Sequence, residues 1–315
     1  MNLHSFNPHR LLLACFVGLL ATPTLGTSAD ATAFRPPAVP LVAHDPYFSV
    51  WSQSDNLWAA ETTHWTGKPQ RMSAIVRIDG HAYRLMGGGP QTIAAMKQIS
   101  VEVLPTRTVY HFAGGGVQVR LMFTTPALPM NIEILSRPTT YINCEVSAVD
   151  EKTHEVEFYF DAGGELATNE GNQKVTGETI ATSNAAGLKL GSVTQQVLGK
   201  SGDDLRIDWG YLYVTAPRVD QATAAFGSAD KLRDAFAEAG PAAITSDTPR
   251  FPVAADRVVA AIAMTIGSVG SEPVSRYALI AYDDLYSIEF MTKKLRPYWR
   301  KDGWEAQDLI EAAVN

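Results

Sequence analysis

Short alternations of apolar and polar residues, separated by turn residues, recur along most of this 315-residue chain and constrain its fold more than any other feature. Residues 73–87, SAIVRIDGHAYRLMG, contain two such runs on either side of Asp79-Gly80. That dipeptide suits the two positive-φ positions of a type I′ turn, so the stretch predicts a β-hairpin. Because successive side chains of a strand point to opposite faces, each run offers one face to a core.

The same pattern predicts further strands along the chain, in several cases in neighbouring pairs. Residues 139–150 and 154–162 are predicted to pair antiparallel around the turn DEKT. The remaining predicted strands cover residues 97–105, 108–114, 117–126, 187–193, 205–216 and 257–267. Strands at this spacing, with turn residues between them, favour a mainly β fold, an antiparallel β-sandwich of the supersandwich type, over a parallel α/β sheet.

Helix signals are few and lie late in the chain. Ser228 and Gly240 bracket a predicted helix over residues 228–239. Leu285, Ile288, Met291 and Leu295 form an apolar stripe with helical spacing before Pro297. Another helix is predicted from Trp304 onward, with its apolar side formed by Leu309, Ile310 and Ala313. That last stripe needs a partner surface, and we expect it to be exposed, because the chain is expected to stop at the start of a helical domain.

The N-terminus has the pattern of a secretory signal peptide. Arg10 precedes the apolar run 11–20, LLLACFVGLL, and small residues follow it, with cleavage expected after Gly26 or Ala29. A lipoprotein signal at Cys15 is the alternative. The apolar run 11–20 is shorter than the roughly 20 residues that a membrane-spanning helix needs. The predicted organisation is a signal peptide (1–26), a linker (27–40), a β-sandwich (41–280) and a helical segment (281–315), in a secreted or periplasmic protein.

Charge and cysteine content narrow the classes of function. The formal net charge is −7, and no run of Lys or Arg occurs, so nucleic acid is not an expected partner. Cys15 would leave with the signal peptide, so no internal disulfide is expected. Cys144 lies in the apolar stretch YINCEVSAV and is predicted to be a buried thiol. No metal-binding or phosphate-loop motif occurs, so we expect neither a metal nor a cofactor.

Three short regions hold the candidate binding or domain-interface residues. Asp45 and the histidines near it, in HDPYFSVW and THWTG, suggest a His–Asp contact that would orient a functional group or tie a loop to the sandwich. FDAGGELATNE places acids just after a strand, and DWGYLYV places an aromatic row opposite Asp208. The acidic pairs 203–204 and 283–284 form no catalytic dyad by themselves, because neighbours on a strand face opposite ways. They are interpreted as turn or cap residues. The candidates are His44, Asp45, His64, Trp65, Asp161, Glu165, Asp208 and Trp209.

Several stretches, in order, resemble the N-terminal part of the glutaminase A family. They are RPPAVPLVAHDPYFSVWS, ETTHWTGKPQ, IVRIDGHAYRLMG, IDWGYLYVTAP and RYALIAYDDLYSIEFMTKKLRPYWRKDG. The resemblance implies an N-terminal β-sandwich followed by a helical barrel similar to six-hairpin glycosidases, and hydrolysis of L-glutamine to L-glutamate and ammonia. It assigns no catalytic residue within the sandwich, so the catalytic residues stay unknown.

Three functions are open at this point. The chain is expected to be the N-terminal module of an exported glutaminase-like amidohydrolase, incomplete and inactive alone, whose small-molecule substrate is glutamine or a sugar. Alternatively it is a secreted β-sandwich that binds carbohydrate or peptide through its Trp and Tyr side chains. A glycoside-hydrolase-related accessory role rests on fold analogy, which does not determine chemistry.

Overall fold

Two large sheets packed face to face form the centre of the fold, in a computed structural model that describes residues 35–245 and 249–315. The predicted signal peptide lies outside the described residues. The described strands are β1 (Val39–Asp45), β2 (Phe48–Ser52), β3 (Met72–Ile78), β4 (His81–Met86), β5 (Ala94–Ala95), β6 (Lys97–Leu104), β7 (Arg107–Gly114), β8 (Val117–Thr124), β9 (Thr139–Ala148), β10 (His154–Gly163), β11 (Lys174–Ala181), β12 (Ala185–Ser192), β13 (Tyr211–Pro217), β14 (Thr223–Gly227), β15 (Val253–Ala254), β16 (Val259–Val269), β17 (Val274–Asp283), β18 (Ile288–Phe290) and β19 (Lys293–Leu295). The described α-helices are α1 (Ile132–Leu135), α2 (Ala229–Ala239) and α3 (Ala306–Val314).

The larger sheet has nine strands in the order β15-β11-β12-β13-β17-β9-β8-β7-β6, and all of its pairs are antiparallel. The smaller sheet has six strands in the order β14-β16-β10-β3-β4-β5, with one parallel pair between β4 and β5. Strands β1–β2 and β18–β19 form separate hairpins. The prediction of a mainly β, antiparallel sandwich is confirmed.

Apolar side chains from both sheets fill the space between them. Val76 and Phe158 of the six-stranded sheet and Leu121 and Leu212 of the nine-stranded sheet belong to one continuous buried cluster. Cys144 is fully buried in the same cluster as a free thiol, as predicted, and burial raises its pKa. This continuous apolar layer is the main source of stability in a sandwich, since burial contributes about 25 cal/mol per Å² of apolar surface.

The outer face of each sheet carries one helix. Leu232 and Phe236 of α2 pack with Tyr159 and Ala261 on the outer face of the six-stranded sheet. Leu309 and Ile310 of α3 pack with Tyr213 and Ala281 on the nine-stranded sheet. Both helices were predicted at these positions. The expectation that the apolar stripe of the last helix would lack a partner was wrong, because the outer face of the nine-stranded sheet covers it.

Two other predictions of local structure were wrong. Strands β9 and β10 do not pair with each other: β9 joins β8 and β17, whereas β10 joins β3 and β16. The segment between them therefore crosses from one sheet to the other. The stripe from Leu285 to Leu295 is not helical, since Leu285, Met291 and Thr292 have positive φ and residues 288–295 form a β-hairpin. Tyr286, Ile288 and Phe290 recur at every second residue, which is the period of a β-strand.

The Asp79-Gly80 turn is confirmed in detail. Ile78 pairs with His81, so the loop has two residues, with φ of 48° at Asp79 and 84° at Gly80. None of the helices in the described part of the chain is long and apolar enough to cross a lipid bilayer.

Candidate functional site

A cavity of about 450 Å³ lies at the end of the nine-stranded sheet where β8 and β17 finish and β9 and β13 begin. The end of β1 and the segments that enter and leave these strands form its walls. Loops at strand ends are free to carry polar side chains, because their backbone is not committed to the sheet. Three of the predicted residues, His44, Asp45 and Trp209, line this cavity.

Two carboxyl groups face the cavity. Asp45 closes the β1–β2 turn, where its Oδ1 accepts hydrogen bonds from the backbone N–H of Tyr47 (2.7 Å) and Phe48 (3.1 Å). Asp284 follows β17 and is half-buried, and its Oδ1 has no hydrogen-bond partner in the described residues. Desolvation raises the pKa of Asp284 to about 6, and the negative charges of Asp283 and Asp45 contribute. A carboxyl with this pKa holds its proton for part of the time near neutral pH.

His44 presents a neutral imidazole to the cavity. Its Nε2 lies 3.0 Å from Thr140 Oγ1, and its ring stacks on Phe48 with a centroid distance of 5.1 Å. Burial lowers its pKa to about 3, so the ring carries no charge at neutral pH. The Nδ1 atom has no partner among the described residues. The predicted contact between His44 and Asp45 is not formed.

The positive charge of the cavity comes from Arg137, which lies on the segment between α1 and β9. Its Nη1 donates to the carbonyl oxygen of Ala312 at 3.0 Å, and its guanidinium lies 5.5 Å from the centroid of the Trp304 ring. Its Nε is buried without a partner in the described residues, as is the indole Nε1 of Trp299. The cavity therefore combines one cation, two carboxyls and aromatic walls.

His64 and Trp65 support a wall of this cavity without lining it. His64 Nε2 and Trp65 Nε1 lie 2.9 Å and 2.7 Å from the carbonyl oxygen of Pro46, which is a cavity residue. A carbonyl oxygen only accepts, so His64 carries its proton on Nε2, and its Nδ1 accepts from Thr66. Both side chains fix the turn after β1, and the predicted His–Asp contact is absent at His64 as well.

The remaining predicted residues are placed elsewhere. Asp161 is fully buried and paired with Arg233 of α2. Asp208 pairs with Lys200 at 2.7 Å and accepts a hydrogen bond from Gln173 at 3.3 Å. Glu165 lines a second cavity of about 310 Å³. The structure therefore divides the eight candidates among several places instead of gathering them.

Trp209 shows why the aromatic row in DWGYLYV did not behave as predicted. Tyr211 and Tyr213 pack on the α3 side of the sheet, whereas Trp209 joins the central core together with Leu212. Gly210, with φ of 79°, lies between them and breaks the alternation of faces.

Sequence reasoning missed the cavity residues Asp284 and Arg137. The pair 283–284 was interpreted as turn or cap residues, and its two members have different surroundings: Asp283 forms a buried ion pair with Arg300, and Asp284 faces the cavity. They differ because β17 ends at Asp283, and the sequence pattern did not predict that boundary. Arg137 had no distinguishing signal at all. Within the described residues, no cluster of His, Cys, Asp or Glu is arranged to hold a metal ion.

The sequence matches two family descriptions, "Domain of unknown function (DUF5127)" over residues 106–315 and "Domain of unknown function (DUF4964)" over residues 11–97. Glutaminase A of Aspergillus oryzae (strain ATCC 42149 / RIB 40) is 25% identical over 260 residues, which cover 78% of this chain and 36% of that protein. A probable glutaminase of Arthroderma benhamiae (strain ATCC MYA-4681 / CBS 112371) is 24% identical over 238 residues, covering 67% and 26%.

These relatives confirm the resemblance to the glutaminase A family. The chain aligns with only about a third of the length of the curated relatives it matches. Since the first family description covers more than half of the residues, the chain belongs to the DUF5127 family and is a distant relative of proteins named glutaminase A.

Proposed function

We propose that this chain is the N-terminal module of an exported, glutaminase-like amidohydrolase, and that the 450 Å³ cavity helps to bind L-glutamine. One observation carries the proposal. Four residues that line the cavity each have a buried polar atom without a partner in the described residues: His44 Nδ1, Arg137 Nε, Asp284 Oδ1 and Trp299 Nε1. Unpaired buried polar atoms are costly, and they gather where a polar ligand satisfies them.

The charges of the cavity suit a free amino acid. An α-carboxylate needs a cation, which Arg137 supplies, and an α-ammonium needs a carboxylate, which Asp45 supplies. The volume lies within the range of small-molecule sites. The names of the relatives, glutaminase A and probable glutaminase, support glutamine as the amino acid.

The second carboxyl group, Asp284, supplies acid–base chemistry for amide hydrolysis. With a pKa of about 6, its ionised form can take a proton from the attacking water, and its protonated form can then give that proton to the departing ammonia. His44 stays neutral and contributes hydrogen bonding only.

The direct test is calorimetric titration of the purified chain with L-glutamine, together with an assay of ammonia release. We expect binding that Arg137→Gln and Asp284→Asn each weaken about tenfold, which corresponds to roughly 1.4 kcal/mol. The matched control is Arg107→Gln, which removes an exposed arginine outside the cavity. Equal affinity in all four proteins, or no binding of L-glutamine, would exclude this cavity as the substrate site.

A carbohydrate-binding module is the second candidate, because aromatic side chains are exposed around the cavity mouth. Tyr47 lines the cavity and is 38% exposed, and Trp65, bonded to Pro46, is 47% exposed. Exposed aromatic faces of this kind stack on sugar rings. Retention on a glycan array that is lost in Trp65→Ala would favour this function, whereas binding of L-glutamine would favour the first.

Export to the cell exterior or the periplasm is part of the proposal. The support is the charged start, apolar run and small residues of the first 26 positions. The intact mass of the protein isolated from its native source should correspond to a chain that begins at Thr27 or Asp30. A mass that includes Met1 would contradict export through a cleaved signal.

A further inference from the structure

A second cavity, of about 310 Å³, lies apart from the one assigned to glutamine and shares no lining residue with it. The segment before β3, the turn after β10 and the turn before β16 enclose it. Its charged lining residues are Glu61, Lys68, Arg71, Glu165, Glu170 and Asp256. Four carboxylates face two cations, so the formal charge of the lining is 2 − 4 = −2.

Glu165 forms the buried part of this lining. It is 3% exposed, and its Oε1 accepts hydrogen bonds from the Nε and the backbone N–H of Arg71. Its Oε2 is buried and has no partner in the described residues. One half of a buried carboxylate is therefore paired and the other half is not, an arrangement that favours a hydrogen-bond donor from a ligand.

Glu61 adds a second carboxylate oxygen without a partner. Its Oε2 is buried and has no hydrogen-bond partner in the described residues. The charges of the ion pairs Asp161–Arg233 and Arg71–Glu165 lie close enough to influence the pKa of Glu61. Desolvation raises the pKa of Glu61, which means that the surrounding protein compensates its negative charge incompletely.

Most other charges of the lining are already engaged. Arg71 pairs with Glu165, Glu170 pairs with Arg206 at 3.1 Å, and Asp256 pairs with Arg257 at 3.8 Å. Glu61 and Lys68 are the lining charges that form no ion pair with a described residue. Since no metal-binding cluster occurs in the described residues, an organic cation with N–H donors is the matching ligand. A primary ammonium carries three such donors.

We propose that this cavity is a separate binding site for a small molecule with a primary ammonium group, held by the carboxylates of Glu61 and Glu165. Simple amines and α-amino acids both carry that group. Lys68, which also lines the cavity, is placed to pair with the carboxylate of an amino acid and has no role for a simple amine. Comparison of the two ligand types therefore separates the two sources.

The test is calorimetric titration of the purified chain with 1,4-diaminobutane and with L-alanine. Tetramethylammonium, a cation without N–H donors, and 1,4-butanediol are the matched control ligands. We expect at least one of the two ammonium compounds to bind and both controls to fail. Binding should weaken at least tenfold in Glu61→Gln, which keeps the volume and breaks no described hydrogen bond, because a charged hydrogen bond contributes about 1.5–3 kcal/mol.

Lys68→Gln distinguishes the sources: it should weaken L-alanine and leave 1,4-diaminobutane unchanged. L-Alanine also carries the two groups expected in the first cavity, so Glu61→Gln is compared again in a chain that carries Arg137→Gln and Asp284→Asn. The weakening should be the same there, so failure of the glutamine site would leave this result intact. An NMR titration of the unmodified chain is the second measurement. The amide signal of Gly171, a lining residue, should shift, and that of Gly303 should not.

Two results would overturn the proposal. One is the absence of binding by both ammonium compounds at concentrations up to about 10 mM, because a specific small-molecule site should have a dissociation constant below that concentration. The other is equal affinity in Glu61→Gln together with an unmoved Gly171 signal.

Discussion

Arg233 of α2 donates two hydrogen bonds to the carboxylate of Asp161 on β10, from Nε to Oδ2 at 2.8 Å and from Nη2 to Oδ1 at 3.0 Å. The Tyr159 hydroxyl donates a further bond to Oδ2 at 2.8 Å. Both charged side chains are almost completely buried, so the pair fastens the helix to the outer face of the six-stranded sheet. Asp161 was a candidate site residue, and its surroundings give it a structural role.

Asp161→Asn should therefore destabilise the fold by about 3–5 kcal/mol, because it leaves the Arg233 guanidinium buried without its counter-charge. Urea unfolding measures the free energy. The control is Arg120→Gln, which breaks an exposed pair with Glu145 and should cost at most about 1 kcal/mol. Similar losses in the two variants would show that burial of the Asp161 pair adds nothing.

His154 joins the β3–β4 turn of the six-stranded sheet to the segment that crosses between the two large sheets. Its Nδ1 lies 2.6 Å from Asp79 Oδ2 in the β3–β4 turn, and its Nε2 lies 2.9 Å from Asp150 Oδ1 in the segment between β9 and β10. Hydrogen bonding to Asp79 and then to Asp150 raises the pKa of His154 above its ordinary value of 6.5. The folded state consequently binds this proton more tightly than the unfolded state does.

The sign of the pH effect follows from that shift. The stabilisation is complete below pH 6.5 and disappears as the pH rises through the folded-state pKa. His154→Gln should thus lower the free energy of unfolding more at pH 6 than at pH 9, measured by urea titration at both values. A loss that is equal at both values would mean that the ring is neutral in the folded protein.

Gly210 permits the close approach of two strands beside Trp209. Its φ is 79°, and a Cβ there would overlap the carbonyl oxygen of Asp283. Gly210→Ala should destabilise the protein by the cost of the left-handed backbone, about 1–2 kcal/mol, and by a steric cost of about 1–3 kcal/mol in addition.

Gly303→Ala is the matched control for this variant, because Gly303 has the same φ of 79° and no atom within 4 Å of the added Cβ. It should show the backbone cost alone. Thermal or urea unfolding of the two variants separates the two terms, and equal destabilisation would contradict the predicted clash.

Local signals predicted the local parts of this fold. The Asp79-Gly80 hairpin, the strands β6 to β8 and the helix α2 were visible because each depends on neighbours in sequence. The pairing of β9 with β17 was not, because it joins Ile142 to Ala278 across more than a hundred residues. Period-two patterning says which side of a strand is buried and does not say which strand lies beside it.

The candidate site shows the same limit. HDPYFSVW was singled out from the sequence, and its His44, Asp45 and Pro46 line the cavity. Their partners there, Arg137 and Asp284, come from segments far along the chain, and burial acts on Asp284 only in the folded protein. Asp161 and Asp208 looked similar in sequence, yet a nearby Arg233 and Lys200 pair with them. Spatial neighbours, and not residue type, separated the acids that face the cavity from those held in ion pairs.

Asp284 gives the most direct test of the cavity's electrostatics. Burial raises its folded-state pKa to about 6, above the ordinary 3.8, so the charged form is less stable in the folded protein than in the unfolded chain. The free energy of unfolding should therefore fall as the pH rises from about 4 to about 6, and the cost persists above that range. Asp284→Asn removes the charge with little change of shape. We expect the variant to be more stable than the unmodified protein at pH 7.5 and equally stable at pH 4, as measured by urea unfolding. A variant that is destabilised at pH 7.5 would show that the ionised carboxylate has a favourable partner, and Asp284 could not then be the proton donor of the proposed reaction.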